Sequence, residues 1–214
     1  NNLILRDPLG ITMGHPQNPA NTVTFGVIRN NVILDNRDIS GSNGGYAIAS
    51  GGKYDPTFGL ITLDGLNISG NIISTNTQNI NVVAVISIGD PIGSVAVPTN
   101  NVHIYDNIIY NWRGTSGATG VAFRYAGPYA SNIVIENNTF QQVNGGPVSE
   151  ILDTSVLPEL TFRNNKYYGS SAQSSWFSIG GTNYDLAGWT TQTGEIGAQA
   201  QQVSFVDPNR NVAT

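Results

Sequence analysis

The side chains able to carry chemistry fall at comparable points of an internal repeat: His15, Lys53 with Tyr54 and Asp55, Asp90, Arg124, and Glu150 with Asp153. Arg124 and Glu150 occupy similar places in successive repeats. Such a pair offers a cation for a substrate carboxylate and a carboxyl group for acid–base work. It also makes an ion pair between neighbouring strands, which contributes little when exposed. Asp90 and Asp153 lie where loops leave the same strands. Paired carboxylates hydrolyse glycosides at separations of about 5 Å with retention or about 6.5–9.5 Å with inversion. Asp90 precedes Pro91, so turn initiation is the competing role. Lys53 would act as the base of an elimination if burial or neighbouring cations lowered its pKa. Its setting, Gly51-Gly52-Lys53-Tyr54-Asp55-Pro56, reads as an exposed loop. His15 precedes Pro16 in a similar loop and titrates near neutrality.

Aromatic residues could complete a sugar-binding surface. Tyr54, Trp112, Tyr125, Tyr129 and Trp176 offer flat apolar faces on which pyranose rings stack. Trp112 and Arg113 belong to the loop Asn111–Gly117, which would overhang such a surface. Tyr125 falls on the inward phase of its strand, so packing competes with sugar contact there. His103 and the pair Glu136 and Arg163 read as outward surface residues. Neither a metal-ligand cluster nor a phosphate-cradling glycine motif is present. No cofactor is implied, and calcium is the one cation kept open.

These residues must be positioned by a repeat. Five segments align on one asparagine: Gly26–Ile33, Leu66–Ile73, Val102–Ile109, Ile133–Phe140 and Leu160–Tyr167, with Asn2-Leu3-Ile4 as a partial further copy. The pattern is apolar-x-apolar-x-x-Asn-x-apolar, a short alternating strand, a tight turn and a second strand. One inward row is Ile28, Ile68, Ile104, Ile135 and Phe162; another is Ile33, Ile73, Ile109, Phe140 and Tyr167. The outward row Arg29, Ser69, Tyr105, Glu136 and Arg163 is polar throughout. A third apolar stretch follows each copy: Gly10–Met13, Tyr46–Ser50, Val82–Ser87, Val121–Tyr125, Val148–Leu152 and Trp176–Ile179. No single strand buries much, but stacking at about 4.8 Å turns equivalent residues into continuous apolar rows. The asparagines 2, 31, 71, 107, 138 and 165 then form a ladder of amides that both donate and accept. The expected fold is an all-β parallel β-helix of about six coils, each of three short strands.

Composition agrees. Only 11% of the 214 residues are charged, Gly numbers 25, and Cys is absent. The net charge of −5 argues against nucleic acid, which demands a basic face. No apolar run approaches the ~18 residues of a membrane span. The coils are expected over residues 1–182, and residues 183–214 form a capping tail of the same domain, with a brief helical turn in Asn183–Trp189. The chain begins in the middle of a repeat, so another chain or a missing segment is expected to cover the first coil.

On these repeats and their Asn ladder, from Asn2 to Tyr167, the sequence resembles the right-handed parallel β-helix proteins of the pectate-lyase-like superfamily. Gly188-Trp189, Thr193-Gly194 and Phe205-Val206-Asp207-Pro208 resemble the ends of bacterial exported β-helix proteins. The resemblance implies a right-handed helix, secretion or a cell-surface location, and polysaccharide or cell-surface glycan as partner. It implies that the asparagine turn joins the second and third sheets and that the outer face of the first sheet forms a groove. Catalysis there would be that of a polysaccharide lyase or glycoside hydrolase; a non-catalytic structural or carbohydrate-binding module is the alternative. The Asp-Pro-His-Asp of uronan epimerases, the polygalacturonase set and the clustered calcium-binding aspartates of pectate lyases are missing.

Overall fold

In the computed structural model, residues 2–5, 10–13, 22–34, 47–50, 53–55, 59–74, 84–89, 98–110, 121–143 and 146–204 are described. They are mostly β, arranged in parallel sheets crossed by a stacked Asn ladder. The first sheet holds β2 (Ile11–Met13), β5 (Ile48–Ser50), β9 (Ala84–Ile88), β12 (Val121–Tyr125), β15 (Ser149–Ile151) and β18 (Phe177–Ile179), closed by antiparallel β19 (Thr182–Tyr184). The second holds β3 (Thr22–Arg29), β7 (Gly59–Ser69), β10 (Thr99–Tyr105), β13 (Ala130–Glu136) and β16 (Leu160–Arg163). The third runs through β1 (Leu3–Leu5), β4 (Val32–Leu34), β8 (Ile72–Ser74), β11 (Ile108–Tyr110), β14 (Thr139–Gln142), β17 (Lys166–Gly169) and β20 (Gln199–Ala200). A short strand, β6 (Lys53–Asp55), pairs antiparallel with β7.

The inward rows are as the alternation demands. Ile28, Ile68, Ile104, Ile135 and Phe162 stand in register and are buried, as are Ile33, Ile73, Ile109, Phe140 and Tyr167. From the first sheet Ile48, Ile86, Phe123 and Phe177 close the core. Toward the C-terminus aliphatic residues give way to rings. Phe123, Phe140, Phe162, Tyr167, Phe177 and Trp189 pack with centroids 4.6–6.5 Å apart, which adds edge-to-face and offset-stacked attraction to area burial.

From Asn31 onward each ladder asparagine follows a residue in the left-handed region: Asn30, Gly70, Asp106, Asn137 and Asn164, with φ between 53° and 62°. The turn is therefore made one residue earlier than the ladder itself. Asn, Asp and Gly are the types that reach this region cheaply, and a Cβ on Gly70 would collide with Oδ1 of Asn30. The amide of the next residue points along the stack. The backbone N and Nδ2 of Asn2, Asn31, Asn71, Asn107 and Asn138 each donate to Oδ1 of the next asparagine, at 2.9–3.0 Å. From Asn71 onward Nδ2 also donates backward, to the carbonyls of Ile28, Ile68, Ile104 and Ile135. A second bend lies within the strands of the second sheet at Gly65, Asn101 and Asn132, all at positive φ. There Asn132 donates to Asn101 and Asn101 to Asp64, at 2.8 and 2.7 Å.

The ladder ends on a carboxylate. Oε1 of Glu195 accepts from the backbone N and Nδ2 of Asn165 at 3.2 and 2.8 Å; Oε2 accepts from the Tyr167 hydroxyl and Trp189 Nε1 at 2.9 and 2.8 Å. Trp189 is brought there by α1 (Leu186–Thr193), capped at its start by Asp185 and at its end by Gly194 at φ 70°. The helical turn expected over Asn183–Trp189 is thus strand followed by helix. Four donors face a group that is 7% exposed, and burial pushes its carboxyl above the ordinary range although those donors pull it down.

Two outcomes test this description. Asn107→Leu removes donors and acceptors shared with Asn71, Asn138 and Ile68 and is expected to cost about 3 kcal/mol or more in urea unfolding, whereas Asn2→Leu, at the exposed end, costs about 1 kcal/mol or less. Glu195→Gln sets an amide NH2 against the donors of Tyr167 and Trp189. It is expected to destabilise by about 1–3 kcal/mol, with Glu195→Asp failing to restore the wild-type midpoint because its shorter arm cannot reach both oxygens' partners.

Candidate functional site

Parallel pairing in register converts the sequence of the first sheet into lateral rows. Across its outer face run Ala49, Ser87, Arg124, Glu150 and Ser178, one from each successive strand. Arg124 and Glu150 are therefore direct neighbours, as their equivalent positions in the repeat require. Arg124 Nε lies 3.5 Å from Oε2 of Glu150, and their side chains are only 18% and 15% exposed. The row beside them is covered as well: Ala49, Ser87 and Ser178 are buried. Burial raises the Glu150 carboxyl above its ordinary value, and the Arg124 charge offsets part of that rise. The result is an acid held in a poorly solvated row beside a fixed cation.

The remaining predicted residues divide four ways. Asp153 is engaged in structure: it precedes the 3-10 segment Thr154–Glu159 and its Oδ1 accepts from the Ser155 amide at 2.8 Å. Hydrogen bonds from the side chain and backbone of Ser155 hold its carboxyl below the usual range, the opposite of what a proton donor needs. Tyr125 is fully buried, and its hydroxyl donates to the Tyr129 carbonyl at 2.8 Å. Its ring face is closed to any sugar, because the alternation that sends Arg124 outward sends Tyr125 into the core. The same burial raises its phenol. Tyr129 is 56% exposed and remains open to solvent.

Lys53 and Tyr54 lie on β6, which pairs with β7 of the second sheet; they do not extend the first sheet's row. His15, Asp90, Trp112 and Arg113 lie outside the described residues. Trp176 is buried at the end of the first sheet, with Nε1 donating to the Ser171 carbonyl. Among the described residues no group of three or more His, Asp or Glu converges as metal ligands would, and no helix is long and apolar enough to cross a membrane.

A second polar cluster forms on the outer face of the second sheet. His103 Nε2 is 2.8 Å from Oε1 of Glu136, whose Oε2 lies 3.9 Å from Arg163, and the Tyr105 ring stands 4.2 Å from that of His103. Glu136 and Arg163 are lateral partners and were expected to be adjacent. His103 reaches Glu136 diagonally, one strand over and two residues along. That reach depends on side-chain length rather than on register and is invisible in an aligned sequence. Glu195, the residue that closes the ladder, gave no signal either, because it stands outside the repeat.

No family model, curated protein or solved structure matches the chain.

The raised Glu150 carboxyl has a consequence for stability. The folded state binds that proton more tightly than the unfolded chain, so the contribution is full below the ordinary value of 4.5 and is lost as pH rises through the raised folded value. Thermal unfolding followed from pH 4 upward is expected to show a steeper loss in the wild type than in Glu150→Gln, where only the raised Glu195 carboxyl still contributes. Parallel profiles of the two proteins would place the pH sensitivity elsewhere.

Proposed function

We propose that the chain is a right-handed, single-stranded parallel β-helix of the pectate-lyase-like kind, exported, and active on polysaccharide along the outer face of its first sheet. The observation that supports this reading best is the Arg124–Glu150 pair: a carboxyl raised by burial, next to a guanidinium, at the middle of a row that crosses five strands. A carboxyl that burial makes hold its proton more tightly can donate it to a departing glycosidic oxygen, and a guanidinium binds a uronate carboxylate in bidentate fashion. Arg124 would exchange Glu150 for the substrate carboxylate, freeing the acid as it binds. Tyr129 is the described aromatic residue that keeps an exposed ring for sugar contact.

A non-catalytic glycan-binding module is the second reading. Its support is that Arg124 and Glu150 face each other under cover, while Asp153 and Tyr125 are committed to the fold.

The two readings separate in one experiment. Neutral and uronic-acid polysaccharides are incubated with the purified chain, with and without calcium, and both reducing ends and unsaturated uronates are followed. Product is expected from the wild type, with Glu150→Gln lowering the rate by about 100-fold or more while circular dichroism stays unchanged. Binding of the same polysaccharides without any product would leave the module reading standing and the catalytic one refuted.

A further inference from the structure

The outer face of the second sheet is open to solvent and carries chemistry that the first-sheet reading does not use. Its polar row runs Arg29, Ser69, Tyr105, Glu136 and Arg163, one residue from each of five strands in register. Four lateral steps between neighbouring strands make the row about 19 Å long, directed along the stack. Arg29 and Arg163, at its two ends, are exposed, and so is Asn67 in the row beside it.

At the middle of the row two rings stand together and are held in place. The His103 and Tyr105 centroids are 4.2 Å apart, with 32° between the ring planes. His103 Nε2 is 2.8 Å from Oε1 of Glu136, and Arg163 approaches the other oxygen of Glu136 at 3.9 Å. The His103 side chain nonetheless keeps 37% of its surface in solvent. A ring platform fixed in this way loses little freedom when a ligand covers it. Around the platform, hydrogen-bonding capacity is unspent. Among the described residues the side chains of Arg29 and Asn67 make no hydrogen bond or ion pair, nor does that of Asp106, exposed in the turn after Tyr105.

These groups select a class of ligand. The carboxylates of Glu136, Asp106 and Asp64, the last accepting from Asn101 on the same sheet, oppose a polyanion that two arginines alone would have to hold. In the row that holds Asn67 and His103 only Val27 and Val134 are aliphatic, too few to seat an apolar segment. A neutral ligand rich in hydroxyls meets neither obstacle. Its hydroxyls both donate and accept, so guanidinium, carboxylate and amide all find partners, while the C–H faces of its rings lie on Tyr105 and His103. We propose that this face binds a neutral oligosaccharide several rings long, lying along the stack between Arg29 and Arg163. The site is separate from the Arg124–Glu150 row and does not depend on that row being catalytic.

The probes are fluorescein-labelled hexamers of glucose, xylose and mannose, with a galacturonate hexamer for contrast. Anisotropy against the full chain is expected to show saturable binding of at least one neutral hexamer. Tyr105→Ala and Arg29→Ala are each expected to weaken it about tenfold or more, and added salt to change it little, because the ligand carries no charge. Should Tyr105→Ala not fold, the exposed positions decide through Arg29→Ala and Asn67→Ala, whose circular dichroism is expected to match the wild type. Glu150→Gln is expected to bind as the wild type does, so a failure of the first-sheet reaction and a failure of this site are told apart. Absence of binding by all three neutral hexamers, or binding indifferent to every second-sheet variant, overturns the proposal. A preference for the galacturonate hexamer that Arg29→Ala and Arg163→Ala abolish overturns it as well, making the ligand an acidic glycan.

Discussion

The structure depends on one repeated hydrogen bond, the donation of each ladder asparagine to Oδ1 of the next. The turn that carries it buries a backbone amide and a side-chain amide together, and an unpaired buried donor costs more than a formed bond returns. The next layer answers both donors with a single oxygen. This fixes the axial register of neighbouring repeats to one residue, and every lateral row follows from it. A slip of one residue would turn the inward isoleucines out and the polar row of Arg29, Ser69, Tyr105, Glu136 and Arg163 in. The loops between repeats vary in length without consequence for register, because the ladder resets it at each turn.

Given that register, the outer faces differ in chemical character. On the first sheet the central charged pair is shielded, so its electrostatics act in a poorly screened setting and its carboxyl titrates high. On the second sheet His103, Glu136 and Arg163 lie closer to solvent, where ion pairs contribute little. The difference is one of exposure and not of residue type, since both faces offer one carboxylate beside one arginine. Poor solvation of an acid next to a cation is also the arrangement from which proton donors are made, which is why the first sheet carries the functional reading.

Most of the architecture was legible because it is periodic. Inward rows, ladder positions and the third strand of each repeat could be read from spacing alone: Ile68 and Ile104 align because the asparagines three residues on align. The adjacency of Arg124 and Glu150 was legible for the same reason. What escaped was whatever depends on events outside the period. Asp153 looked like chemistry and caps a 3-10 turn, a local matter decided by Ser155 two residues on. Tyr125 looked like a sugar platform and is core, a choice that hangs on the phase of one short strand. Lys53 looked like a loop residue by the first sheet and sits on a strand paired with the second, a long-range pairing with no local signature. The second bend at Gly65, Asn101 and Asn132 was hidden because its residue types vary between layers.

The cage around Glu195 also gives the molecule a mechanical direction. At the C-terminal end, four donors, a helix and a cluster of rings are tied to one carboxylate, so tension applied there must break several short bonds at once. Around β1, β2 and Asn2 no comparable cage is found among the described residues, and that layer is tied to the next by strand pairing and the two amide bonds of Asn2. Resistance to load is therefore uneven along the stack, greatest where Glu195 gathers its four donors.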